Sequence, residues 1–191
     1  GVLIFSNGKA EAESTTTTAT YTDPYNEFSI EYPINWTVVT PDAPEGTISA
    51  VALGTGNTSG GSDVFVMILT LPGVPVQFHQ PDFNKNIITA LGENKGNYNF
   101  TFTEDKILKL DTGRDAFLMR FTFIGPLTYA TELAFQKFEQ NGVSVIIPSE
   151  DKLWHMYAEF TNHKDYSNTL LPMIKSFKLL ETPFSIQTPS S

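Results

Sequence analysis

Residues 25–39, with the sequence YNEFSIEYPINWTVV, decide the fold of this chain. An alternating strand runs into a Pro-x-x-Trp corner and then into a second strand. Phe28, Ile30 and Tyr32 share one side of the first strand, because successive side chains of a strand point to opposite faces. Once the proline has ended regular pairing, Trp36 continues the same apolar surface. We therefore expect Trp36 to lie in the core and not to anchor a partner at the surface.

Alternation and turn residues predict the strands that follow the corner. Their ranges are 47–53, 63–71, 97–110, 114–124, 127–140, 143–147 and 153–161. In residues 63–71, Val64 and Val66 lie on one side while Phe65 and Met67 lie on the other, so both faces are apolar. This pattern is typical of a central strand with other layers packed above and below it.

Glycine-containing pairs predict the breaks between the later strands. Gly125-Pro126 is expected to interrupt the chain, and Asp111-Thr112-Gly113 is expected to make a short hairpin. Asn141-Gly142 predicts a two-residue turn, because Asn and Gly best tolerate the positive φ that both central positions need. Residues 143–147 are then expected to fold back on the preceding strand.

Two helices are predicted, one in the middle of the chain and one near its end. Residues 81–94 place Phe83, Ile87, Ile88 and Leu91 on one face. The closing helix places four apolar side chains at intervals of four, four and three. They are Tyr166, Leu170, Ile174 and Phe177. Pro172 requires this helix either to start near Asn168, with the proline in its first turn, or to bend.

The corner and the end of the chain resemble PsbP-like domains. The resemblance rests on the Tyr-Pro and the Trp three residues later, on LWHMYAEFT at 153–161, and on HKDYSNTLLPMIKSFKLL at 163–180. It extends over roughly residues 21–180. It implies an α+β fold, an α/β/α sandwich around a mostly antiparallel sheet of about six strands, with an N-terminal hairpin and a C-terminal helix. It also implies a binding or assembly role in place of catalysis.

Length and composition predict one domain. The chain has 191 residues, of which 40% are hydrophobic, which is enough for one core and short for two full domains. We expect a signal or anchor remnant and Thr-rich linker over 1–20, the domain over 21–181 and a flexible tail over 182–191. The small-x-small triplet Ala10-Glu11-Ala12 resembles a signal-peptidase site. The sequence therefore predicts an exported protein, extracellular, at the cell surface or periplasmic, with a possible membrane tether through its N-terminus.

Charge and cysteine content restrict partners and chemistry. The net charge of −9 opposes a phosphate backbone, so nucleic acid is not an expected partner. The absence of cysteine from the sequence excludes disulfides, thiolate catalysis and iron–sulfur clusters. The expected partner is a protein or a small ligand, and the protein is expected to be a monomer.

Metal ligands are the strongest chemical alternative. His79 and Asp82 are three residues apart near a helix start, and His155 and Glu159 project from one face of a strand. A tight transition-metal site needs three or four converging ligands, whereas the sequence shows pairs. Calcium, manganese and zinc are the candidate ions. His163 and Asp165 form a further pair. For all of these pairs the alternative interpretation is surface polar residues, or helix caps such as Asp82 and Asp165.

No catalytic motif of comparable strength occurs. The Gly-rich run at 54–62 has Ser59 where the dinucleotide fingerprint requires its third glycine, and no G-x-S-x-G is present. The favoured hypothesis is a non-catalytic, exported binding module. The alternatives are an extrinsic photosystem II subunit that binds calcium, and a metal-dependent enzyme using His79, Asp82 and His155. A nuclear-transport accessory similar to the Ran-binding Mog-type relatives is disfavoured by the export-like start.

Overall fold

The computed structural model describes residues 17–40, 48–54, 64–71, 81–126, 136–150, 152–161 and 165–180. These residues form ten strands and two helices. The strands are β1 (Thr18–Thr22), β2 (Phe28–Pro33), β3 (Thr37–Val39), β4 (Ile48–Gly54), β5 (Val64–Leu71), β6 (Tyr98–Lys109), β7 (Asp115–Pro126), β8 (Lys137–Pro148), β9 (Leu153–Thr161) and β10 (Lys178–Leu179). The helices are α1 (Pro81–Asn94) and α2 (Ser167–Lys175).

The main sheet has seven strands in the order β3-β4-β5-β9-β8-β7-β6, one more than the six expected. Each pairing within it is antiparallel. A smaller sheet has the order β1-β2-β10 and contains the predicted N-terminal hairpin. The two-residue strand β10 was not predicted, because so short a segment carries no alternation of its own.

Both faces of the main sheet are covered, as the two-sided pattern of β5 indicates. Helix α1 packs on one face, where Ile88 joins Met67, Leu69 and Tyr157 in the core. Helix α2 and the smaller sheet pack on the other face, where Leu170 joins Val66 and other hydrophobic side chains. The expected α/β/α layering around an antiparallel sheet is confirmed.

The aromatic corner lies in the core on the α2 side. Phe28 is fully buried and Trp36 is 7% exposed, which confirms the inward orientation of this stretch. The Phe28 ring stacks on Phe177 with centroids 5.3 Å apart and meets Trp154 at 5.1 Å. The first hairpin, strand β9 and the chain that follows α2 are thereby joined through one aromatic cluster.

The prediction of a turn at Asn141-Gly142 is wrong. Strand β8 runs without interruption through both residues and pairs with β7 and β9 on its two sides. A Cβ atom on Gly142 would lie 2.2 Å from the Phe121 ring. The glycine is therefore required by the close approach of an aromatic ring and not by positive φ, and tertiary packing overrides the local turn signal.

Strand β7 extends two residues beyond its predicted end at Ile124 and ends at Pro126, so the predicted break is displaced to the proline. Within this strand, Gly125 pairs with Phe138 and Pro126 with Lys137. The proline is the last residue of the strand, a position at which its missing N–H costs little. The hairpin at Asp111-Thr112-Gly113 is confirmed, with Gly113 at φ 86°.

Helix α2 begins at Ser167, one residue before the predicted start, and contains Pro172 as its sixth residue. The proline therefore lies beyond the first turn, contrary to that alternative, and it leaves the carbonyl of Asn168 without its usual helical donor. The Asp165 carboxylate accepts a hydrogen bond from the Ser167 backbone N–H at 2.9 Å, but Tyr166 is the N-cap residue and its side chain makes no capping hydrogen bond.

The ends of the domain are only partly described. Strand β1 begins at Thr18, inside the stretch predicted to be a linker. The proposed signal remnant and the C-terminal tail lie outside the described residues, so those boundaries stay predictions. Among the described residues, no helix has the length and apolar character needed to span a bilayer.

Candidate functional site

The four residues predicted as metal ligands lie in different environments. His79 is outside the described residues, and Asp82 is exposed in the first turn of α1. His155 and Glu159 are fully buried on the α1-facing side of β9. Within the described residues, no three His, Asp or Glu side chains converge as metal ligands. His163 of the further pair is also outside the described residues.

His155 is paired with a serine inside the sheet. Its Nε2 lies 2.7 Å from the Ser144 hydroxyl on the adjacent strand β8. Burial lowers the pKa of His155 to about 3, so the imidazole is neutral at ordinary pH. The Tyr157 ring stands edge-on to it, with centroids 6.0 Å apart. Because both partners are buried, this pair is held away from substrates and resembles a structural hydrogen bond more than a catalytic dyad.

Glu159 is the acceptor of a second buried network. Its Oε1 atom accepts hydrogen bonds from the Tyr157 hydroxyl at 2.7 Å and from Asn97 Nδ2 at 3.0 Å. Lys95 Nζ completes the network at 3.5 Å. Burial lowers the pKa of Lys95 although the Glu159 charge opposes the shift. Burial, reinforced by the Glu159 charge, raises the pKa of Tyr157 well above its usual value.

The end of α1 positions the cation of this network. Lys95 follows the last residue of the helix, and its backbone N–H donates to the Gly92 carbonyl at 2.9 Å. Gly96 then takes a left-handed conformation, with φ 83°, that turns the chain toward β6. The Lys95 ammonium lies 4.4 Å above the centre of the Phe65 ring. This network ties the helix to the sheet, and no spacing in the sequence pointed to the Lys95–Glu159 pair.

A depression of about 270 Å³ lies on the opposite face of the sheet, beside the start of α2. Side chains and backbone from four strands and the α2 region line it. The lining residues are Thr103, Arg120, Phe121, Asn141, Gly142, Val143, Phe160, Asp165 and Ser167. Val143 and Phe160 are buried and apolar, whereas Thr103 and Asp165 are exposed. The depression therefore combines buried hydrophobic residues with a polar, accessible rim.

Arg120 is the central charged group of the depression. Its Nη1 donates to the Ser167 hydroxyl at 2.8 Å, and its Nε lies 2.8 Å from Glu104 Oε2. Hydrogen bonds from Ser167 and, more weakly, the Arg120 charge lower the pKa of Asp165. One guanidinium thus faces two carboxylates, a charge balance that disfavours phosphate and suits a ligand with both hydrogen-bond donors and acceptors.

Ser167 has two charged neighbours in the depression. Its hydroxyl accepts a hydrogen bond from the Arg120 guanidinium, which cannot act as a general base at neutral pH, and its hydrogen bonds to Asp165 lower the pKa of that carboxyl. Sequence reasoning missed this site because its residues are scattered between 103 and 167 and form no local motif. The one available signal was Arg120, a cation within the otherwise uncharged run from Ala116 to Ile124.

No protein-family model matches the chain, and no curated protein matches it in sequence. Solved structures do match it. The cyanobacterial PsbP (CyanoP) of Synechocystis sp. PCC 6803 superposes with a TM-score of 0.59 at 11% identity, covering 91% of this chain and 98% of CyanoP. The Saccharomyces cerevisiae Ran-binding protein Mog1p superposes with a TM-score of 0.63 at 8% identity, covering 87% of this chain and 97% of Mog1p.

A protein from Bacteroides thetaiotaomicron VPI-5482 matches with a TM-score of 0.50 at 10% identity, over 85% of this chain and 48% of that one. At such identities the likeness concerns the fold alone. The chain has the α+β sandwich fold that CyanoP and Mog1p share, as the aromatic corner and the C-terminal segment predicted.

Proposed function

We propose that this protein, with the fold of CyanoP and Mog1p, is a non-catalytic accessory module that binds a protein or a ligand through the depression around Arg120. The observation that carries the proposal is the contrast between that depression and the buried polar groups. His155 and Glu159 are enclosed and engaged with neighbouring side chains, whereas Arg120 lies at an accessible rim. Mog1p, a Ran-binding protein, supports a binding role for this fold.

The nature of the rim suggests the kind of ligand. Arg120 has a planar guanidinium that donates hydrogen bonds. Asp165 is an exposed carboxylate acceptor, and Ser167 contacts both residues. Buried Val143 and Phe160 add apolar area. A peptide segment with an amide or charged side chain and a small apolar neighbour would match both parts.

Site-specific photo-crosslinking in cells of the source organism tests this proposal. A photo-reactive amino acid at Asn141, in the depression, is expected to trap a defined partner. The matched control carries the same amino acid at Glu93, which is exposed on α1 across the sheet. Arg120→Met should reduce the Asn141 adduct by about tenfold, because a charge-assisted hydrogen bond is lost.

Equal labelling from Asn141 and Glu93, or an Asn141 adduct indifferent to Arg120→Met, would remove the depression from consideration. Robust enzymatic turnover that disappears when His79, Asp82 or His155 is replaced would overturn the non-catalytic assignment itself.

Export is part of the proposal and rests on the triplet Ala10-Glu11-Ala12, which resembles a signal-peptidase site. Fractionation of source cells, with detection of the protein outside the cytoplasm, tests it. A narrower version is an extrinsic subunit of the photosystem II oxygen-evolving complex that binds calcium, and the fold of CyanoP supports it. Co-purification with photosystem II, in an organism that has one, would distinguish this version.

The metal hypothesis stays a prediction with its own test. A site built from His79, Asp82, His155 and Glu159 would have to release His155 from Ser144 and Glu159 from three donors. Calorimetric titration with calcium, manganese and zinc, on the native protein and on Asp82→Asn, measures it directly. No heat of binding removes the hypothesis, and a stoichiometric heat lost in Asp82→Asn supports it.

A further inference from the structure

Strand β6 forms one edge of the main sheet. It spans twelve residues, Tyr98–Lys109, and in the described part of the chain it pairs with β7 alone. Its first half is irregular, since Asn99 has φ 55° and the register shifts before Thr101 and again before Glu104. From Glu104 to Lys109 the register with β7 is regular. An edge of this kind has a row of backbone groups available to another strand.

The hairpin beyond β6 fixes which backbone groups point outward. The Leu110 N–H donates to the Arg114 carbonyl at 2.9 Å, so these two residues form a hydrogen-bonded pair. Hydrogen-bonded and non-hydrogen-bonded pairs alternate along an antiparallel ladder. It follows that Asp105, Ile107 and Lys109 direct their N–H and C=O groups away from β7.

The side chains of the same three residues are exposed on one face of the sheet. Ile107 is 49% exposed, which is high for a large aliphatic residue in a twelve-residue strand. It is flanked at two residues on either side by an acid and a base, Asp105 and Lys109. The triplet is self-complementary, because a half-turn about Ile107 exchanges the position of the acid with that of the base.

We propose that two copies of this chain associate edge to edge through β6, antiparallel, about a two-fold axis at Ile107. This register sets Ile107 against Ile107 of the second copy and Asp105 against Lys109 in both directions. Each facing pair would have Cβ atoms about 5 Å apart, within reach of apolar and ionic contact. The outward backbone groups of all three residues would gain partners, and the seven-stranded sheet would continue into its copy.

Charge selects this register over its neighbours. Centring the axis on Asp105 would oppose two Asp105 carboxylates, and centring it on Lys109 would oppose two Lys109 ammonium groups. Lys109 also contacts Asp115 within its own chain, with 2.7 Å between Nζ and Oδ1. Both side chains are well exposed, so Lys109 can serve a second carboxylate at little cost.

The short length of the regular part of β6 limits the strength of the association. Regular pairing is confined to about six residues, which gives an interface smaller than that of a stable permanent dimer. We therefore expect a weak, concentration-dependent dimer, although the sequence predicts a monomer. The β6 edge and the Arg120 depression are separate surfaces, except that Thr103 of β6 also lines the depression.

Sedimentation velocity over a wide concentration range tests the proposal. The native chain is expected to shift from monomer to dimer as concentration rises. Ile107→Pro removes the outward N–H and leaves the ladder to β7 intact, so it should fold and stay monomeric. Ile107→Thr, which keeps that N–H and loses apolar area, should weaken the dimer by less than Ile107→Pro does.

A charge swap distinguishes this register from other contacts. In an Asp115→Asn background, which removes the competing intrachain carboxylate, Asp105→Lys should weaken the dimer by about tenfold. Adding Lys109→Asp should restore the affinity, because the exchanged charges again face each other. A native chain that stays monomeric, a dimer insensitive to Ile107→Pro, or a swap that fails to restore would each overturn the proposal.

Discussion

The two faces of the seven-stranded sheet bury different kinds of side chain. Beneath α2 and the smaller sheet, the core is an aromatic and aliphatic cluster that includes Phe28, Trp154 and Phe177. Beneath α1, Phe rings share the layer with the buried polar side chains of His155 and Glu159. Within the described residues, the polar groups His155 and Glu159 of the α1 face are fully buried, whereas Arg120 on the α2 face lies at the accessible depression.

The difference predicts which face of the sheet is sensitive to pH and to the loss of a charge. A hydrophobic layer tolerates changes of pH and of salt, because its stability comes from area removed from water. A buried polar layer is stable only while each group keeps its partner and its protonation state. The α1 face should therefore report on charge and pH, and the next experiments probe that contrast.

Removing the cation from the α1 face should have the largest effect. Lys95→Met leaves the Glu159 carboxylate buried without its ion-pair partner. Breaking one side of a buried pair is costly, so we expect a loss of about 3 kcal/mol in the free energy of unfolding, measured by urea denaturation at pH 7. Adding Glu159→Gln should recover part of the loss, because the uncompensated charge disappears.

Lys85→Met is the matched control, since Lys85 also lies on α1 with its ammonium 5.5 Å from the centre of the Phe102 ring. Its expected cost is below about 1 kcal/mol, the size of an exposed cation–π contact. Equal costs for the two substitutions would show that the Lys95–Glu159 pair adds nothing beyond ring packing.

Adding a side chain at Gly142, on the α1 face, should have an intermediate effect on the free energy of unfolding. Gly142→Ala places a methyl group where the Phe121 ring lies, only 2.2 Å away. Overpacking of this kind costs about 2 kcal/mol, measurable as a shift in the denaturation midpoint. In a double-mutant cycle, Phe121→Leu should reduce the penalty of the alanine by about 1 kcal/mol. Strict additivity would mean that the ring moves away freely.

The last contrast concerns pH and His155, and it is absent at the neutral pH of the preceding measurements. The folded-state pKa of about 3 lies below the ordinary value of 6.5, so the unfolded chain binds the proton first as the pH falls. The stability that neutral His155 contributes is complete above pH 6.5. Between pH 6.5 and 3 it is lost at about 1.4 kcal/mol per pH unit.

Ser144→Ala combined with His155→Leu removes both members of the buried pair without leaving either one unpartnered. Between pH 6.5 and 3, the free energy of unfolding should fall less steeply with decreasing pH in this variant. The difference in slope should correspond to at most one proton. Identical slopes in the native and doubly substituted chains would show that His155 is protonated in the folded state or opens to solvent.

The sequence predicted those parts of the fold in which local pattern and tertiary packing agree. The two apolar sides of Val64–Leu71 identified a central strand, and the stripe of Leu170 and Ile174 identified the covering helix. The pattern failed at Asn141-Gly142, where a strong turn signal lies inside a continuous strand. The reason is the Phe121 ring, which comes from β7 and requires a glycine at that point.

The candidate site was beyond sequence reasoning for a related reason. Arg120, Asp165 and Ser167 meet only after β7 and the start of α2 have been brought together. The sequence identified His155 and Glu159 as sharing one face of a strand, which the structure confirms. It did not show their burial, because burial on that side depends on α1 and on Lys95 returning from the helix end.

The pairing of β9 between β5 and β8 has a consequence for biosynthesis. Val64–Leu71 is translated long before Leu153–Thr161, the segment that pairs with it. Until residue 161 has left the ribosome, the nascent chain therefore has two separate parts of the sheet, β3-β4-β5 and β8-β7-β6. Each part has an exposed edge strand, β5 or β8. Contacts so distant along the chain form slowly. Shielding by a chaperone during this interval would protect the nascent protein from aggregation through those strands.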